Sequence, residues 1–61
     1  MNIYEKIGHR IKMLREKTGM SQDVLSQKMG ISRPAVSQIE SGERKISADE
    51  LQKLSQIFHV A

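Results

Sequence analysis

The sequence predicts an all-α domain of four short helices, and three observations carry that reading. Four residues suited to cap a helix start, Asn2, Ser21, Ser32 and Ser47, each precede apolar residues at helical spacing. Gly19, Gly30 and Gly42 stand where a left-handed residue would end the first three helices. No stretch alternates apolar and polar residues over five or more positions, so no strand is expected.

The first helix opens at Asn2, with Glu5 three residues on in a capping-box arrangement. Ile3, Ile7, Ile11 and Leu14 form its apolar stripe, and Lys17 suits the negative end of the helix dipole. The second helix runs from Ser21 to Gly30 and turns Leu25 and Met29 inward. The third runs from Ser32 to about Gly42, with Pro34 in its first turn, where a missing N–H loses nothing. Val36 and Ile39 define its buried side. The fourth starts at Ser47 with Glu50 as a second capping box, and carries Leu51, Leu54, Ile57 and Phe58 as its stripe.

A chain of 61 residues is one small domain, spanning 1–61. Without cysteine it has neither disulfides nor a thiolate metal site, which fits a reducing compartment. Its apolar runs are too short for a membrane span or a signal peptide. An enzyme with its own pocket is not expected at this size, so no catalytic residue and no cofactor are assigned. The only histidines, His9 and His59, lie far apart without partner ligands, and no metal site is assigned either. Ten Lys and Arg against seven Asp and Glu give a net charge of +3. All of that excess falls in residues 1–20, which hold five basic and two acidic side chains. A basic third on a neutral remainder suits an anionic partner, nucleic acid foremost.

The informative segment is Gln22–Ser41. Met29, Gly30 and Ile31 leave too short a connection for a bundle-like return, so the helices must meet steeply. This is the helix-turn-helix signature, here at about 22–41. Gly30 is expected at positive φ, and Ser26 is small enough for close crossing. On the third helix, Arg33, Pro34, Ser37, Gln38 and Ser41 fall opposite Val36 and Ile39. That side carries a fork donor, two hydroxyls and an amide with no carboxylate, so it can enter a major groove without repelling phosphates.

These residues resemble the Cro/C1-type (XRE-like) helix-turn-helix family of phage and bacterial repressors. MSQDVLSQKMGISRPAVSQIESGERKIS followed by ADELQKLSQIFHV carries the likeness, from about Ile7 to Val60. The resemblance implies a compact lambda-repressor-like domain, with four helices of the family's five present. It implies sequence-specific binding of double-stranded DNA by a transcriptional regulator, a repressor, whose third helix (33–41) reads the major groove of a palindromic operator as a homodimer. It implies base reading by Arg33, Pro34, Ser37 and Gln38. Ser21, Gln22, Ser32, Ser41, Arg44 and Lys45 match phosphate-facing or positioning residues, with Gln22 also steadying the first reader of the third helix. Arg15 and Glu40 match a structural ion pair between the first and third helices. A bacterial or phage-encoded, cytoplasmic, nucleoid-associated protein is expected. Because the family's fifth helix is missing after Val60, the chain is expected to be the N-terminal part of a longer protein. The rival reading is a protein-interaction or antitoxin module on the same fold. Large apolar residues on the exposed side of the third helix would favour that rival, whereas Arg33, Ser37 and Gln38 favour DNA.

Overall fold

The computed structural model describes residues 2–60, and its helices are α1 (Ile3–Lys17), α2 (Gln22–Met29), α3 (Arg33–Ser41) and α4 (Ala48–Phe58). Each begins on a side-chain cap. Asn2, Ser21, Ser32 and Ser47 accept hydrogen bonds from the backbone N–H of Glu5, Val24, Ala35 and Glu50. In α1 and α4 the glutamate returns the bond to the cap's own N–H, which completes both capping boxes. None of these helices is long and apolar enough to cross a membrane.

The turn between α2 and α3 is closed by Gly30 at φ 72°, ψ 31°. There the Ile31 N–H donates to the Ser26 carbonyl at 3.1 Å and the Gly30 N–H to Gln27 at 3.3 Å. This wrap satisfies carbonyls that the last turn of α2 would leave open. The Ser26 hydroxyl donates to the Asp23 carbonyl at 2.7 Å, so a small polar residue is buried here with its donor satisfied. Lys53 of α4 donates to the Met29 carbonyl at 3.3 Å, a cation at the negative end of α2.

Ile11, Leu25, Met29, Val36, Ile39 and Leu54 form the core. Ile7, Met20, Ile31, Ile46, Ile57 and Phe58 pack around it, half-buried. Two residues of the expected stripes lie outside. Ile3 is 60% exposed and Leu51 is 43% exposed, because no described element covers the first turn of α1 or the adjoining side of α4.

Gly8 lets α1 and α3 approach closely, and nothing in its local sequence marks it. A Cβ at this position would collide with the backbone carbonyl of Ile39 and come within 2.7 Å of that of Glu40. The two helices thus meet backbone against backbone. Gly42, at φ 83°, also lies close to the start of α1, where a Cβ would come within 2.7 Å of the Glu5 Cα. α4 ends differently, with His59 in the left-handed region at φ 56°. No glycine announces that stop; histidine is among the side-chained residues that tolerate it.

Candidate nucleic-acid interface

α3 divides into two sides. Val36, Ile39 and Glu40 are buried, whereas Arg33, Pro34, Ser37, Gln38 and Ser41 are all exposed. The helix is held in place by a polar network, since greasy contacts alone would leave it free to slide. Arg15 of α1 donates from Nε to Glu40 Oε2 at 2.6 Å and from Nη2 to Oε1 at 3.2 Å. Its Nη1 donates to the Met20 carbonyl at 2.8 Å. Only 11% of the Arg15 side chain and 4% of the Glu40 side chain remain exposed. The bidentate bond to Glu40 holds the Arg15 guanidinium above its ordinary pKa, against the opposing effect of burial.

Gln22 joins the same network. Its Nε2 donates to Glu40 Oε1 at 3.0 Å, which links the start of α2 to the middle of α3. The amide therefore steadies α3 through Glu40 and not through Arg33. The side chain that does lie beside Arg33 is Asp23, with Oδ1 3.8 Å from Nε.

The flanking residues are placed unequally for meeting phosphates. Ser21 and Ser32 accept bonds as caps through Oγ, and each keeps its hydroxyl proton free to donate. Ser41 instead donates that proton to the Gln38 carbonyl at 3.1 Å, so it would have to rotate to serve an anion. Arg44 Nη1 is buried 3.0 Å from Glu50 Oε2, a charge pair between the loop and the first turn of α4. Glu50 is held below the usual carboxylate range, first by the Ser47 N–H of its capping box and then by Arg44. Lys45 is exposed, its Nζ 5.9 Å from the centre of the Tyr4 ring. The loop between α3 and α4 is thus anchored to the first turns of both α1 and α4.

Sequence reasoning had no signal for Asp23, Glu50 or Tyr4 as neighbours of Arg33, Arg44 and Lys45. The sequence reads Glu50 as the partner of a capping box, which it also is, and both acids lie in the first turns of their helices.

A family model described as Helix-turn-helix matches residues 11–61. Among solved structures, the restriction-modification controller protein C.AhdI from Aeromonas hydrophila superposes with a TM-score of 0.88 at 31% identity. The match covers 95% of this chain and 88% of that one. No curated protein matches the sequence. The chain belongs to the Cro/C1-type helix-turn-helix family of DNA-binding transcriptional regulators.

Proposed function

We propose that this helix-turn-helix protein is a repressor that reads a palindromic operator in double-stranded DNA with the exposed side of α3. The observation that carries the reading is the division of α3 itself. Its inner side is fixed by Glu40, and its outer side offers Arg33, Ser37 and Gln38 with no carboxylate among them. A helix with that outer side fits a major groove about 12 Å wide. The protein acts by binding alone, with no catalytic step and no cofactor.

In this reading Arg33 donates two bonds to O6 and N7 of a guanine, and Gln38 suits an adenine. Pro34 and Ser37 complete the reading surface by shape and by hydroxyl contact. Ser21, Gln22 and Ser32 secure the two helix starts to the backbone, and Arg44 and Lys45 secure the loop beyond α3. A single small module buries only about 600–1,000 Å² on DNA, which favours two copies on half-sites about 34 Å apart. The second copy is taken to pair across the apolar groove of about 470 Å³ between α1 and α4. Ile7, Leu14, Leu51, Leu54, Phe58 and Val60 line it. A pair of domains seated on a promoter represses by excluding polymerase.

Selecting bound duplexes from a random pool at fixed salt tests the reading. The parent should enrich a palindrome, and Arg33→Ala should lose preference at one base pair of each half-site. Replacing Arg44 and Lys45 together by alanine should weaken every sequence alike and lower the salt slope by about 0.9 per lost contact. An unchanged base profile for Arg33→Ala would remove α3's first residue from the reading surface.

A further inference from the structure

Asp23 and Arg33 are ten residues apart and belong to different helices, yet their side chains meet across the turn. Nε of Arg33 lies 3.8 Å from Oδ1 of Asp23, and 64% and 67% of the two side chains remain exposed. An acid in the first turn of α2 is ordinarily explained by the helix dipole. That explanation leaves open why a carboxylate borders the one surface that must approach phosphates.

We propose that Asp23 is a specificity-determining positioning residue that orients the Arg33 guanidinium toward a base edge. The inference rests on the reading of Arg33 as a base reader. Arginine is a long side chain with a planar fork of five donors, and on DNA the phosphates of both strands compete with the bases for it. A carboxylate near Nε takes up one edge of the fork and leaves the terminal nitrogens for O6 and N7 of a guanine. In water such an exposed pair is weak, so the free protein keeps Arg33 loosely held. When DNA displaces solvent from the turn, the same two charges attract more strongly and the orientation tightens. The carboxylate also repels phosphate oxygens, so an Arg33 that strays to the backbone draws an unfavourable charge after it. Asp23 thereby lowers affinity for DNA in general while raising discrimination at one base pair.

The test compares the parent, Asp23→Asn, Asp23→Glu, Arg33→Ala and the Asp23→Asn, Arg33→Ala double variant. Each is assayed by duplex selection and by titration of one fixed non-operator duplex at several salt concentrations. Asp23→Asn should lower the guanine preference at a single position of each half-site by about three- to fivefold. It should leave the other positions unchanged and bind the non-operator duplex more tightly. Asp23→Glu should restore part of the preference, and in the Arg33→Ala background Asp23→Asn should alter the base profile no further. A guanine preference that stays within about twofold in Asp23→Asn, while Arg33→Ala abolishes it, overturns this inference and leaves the base reader intact. An even loss across all positions would make Asp23 a fold residue and overturn it as well. Parental preferences in Arg33→Ala would overturn both, by removing the reader itself.

Discussion

Helix α1 has two long sides, and the molecule treats them in opposite ways. Toward α3 it is closed to the point of backbone contact at Gly8, and the seam is stitched by Arg15 and Glu40, the latter also bonded by Gln22 of α2. Toward α4 it leaves an open apolar groove that Leu51 and Val60 border, 43% and 38% exposed. The tight seam allows one position of α3 and holds its outer side at a fixed angle. The open seam spends no polar group on uniqueness and keeps apolar surface for another use. A polar network specifies, and an uncovered apolar groove stays adaptable.

The largest expected effect breaks the tight seam at its narrowest point. In Gly8→Ala the new methyl would meet two backbone carbonyls, which cannot rotate away as a side chain can. α1 and α3 would have to separate, at a cost above about 3 kcal/mol, more than the modest gain in helix propensity returns. Small single cores rarely supply more than about 3–5 kcal/mol in total, so the variant should be largely unfolded by circular dichroism at room temperature. A cooperative melt near the parent's would mean that the seam has slack.

Next comes Glu40→Ala, which removes the carboxylate and leaves the Arg15 charge buried without a counterpart. Breaking such a pair typically costs 3–5 kcal/mol; here the lower end, about 3 kcal/mol, is expected because Arg15 keeps one bond to the Met20 carbonyl. The melting temperature should fall by about 12 °C or more. A shift of about a degree or two would reduce the network to a surface pair.

These two residues differ in how far the sequence reveals them. The helix starts were legible, because a cap, its N3 partner and the following apolar spacing lie within one turn. Gly30 and Gly42 were legible for the same reason, since a left-handed stop is a local requirement. Gly8 was opaque. Inside a helix a glycine reads only as lost propensity, and its purpose comes from carbonyls 31 and 32 residues further along. Arg15 and Glu40 were paired through family likeness, since neither periodicity nor charge identifies which basic residue of α1 turns inward. At the interface the same boundary holds. The exposed side of α3 follows from the helical wheel, whereas Asp23 beside Arg33, Glu50 beside Arg44 and the engaged hydroxyl of Ser41 arise only after α2, α3 and α4 have packed. The stripe rule also pointed Ile3 inward, yet it is 60% exposed, because periodicity tells which way a residue points and not whether anything lies opposite.

The smallest expected effect on folding, and the one that sharpens the contrast most, falls on the open seam. Leu51 and Val60 line the groove yet retain much of their surface, so little of their burial energy is realised within one chain. Replacing both by serine should change the folding free energy by about 0.5 kcal/mol or less at each position. In a pair of chains the same side chains would be covered, and each square ångström of apolar surface removed from water contributes about 25 cal/mol. Both partners of an isologous pair present the same patch, so every substitution is felt twice. Sedimentation across a concentration series should therefore show weak self-association of the parent that the Leu51→Ser, Val60→Ser variant has lost, with both chains melting alike. Operator affinity should fall with it, while the base preference of each half-site stays as in the parent. Self-association that survives the double substitution would mean that the copies meet elsewhere on the molecule, and that this groove serves only the single chain.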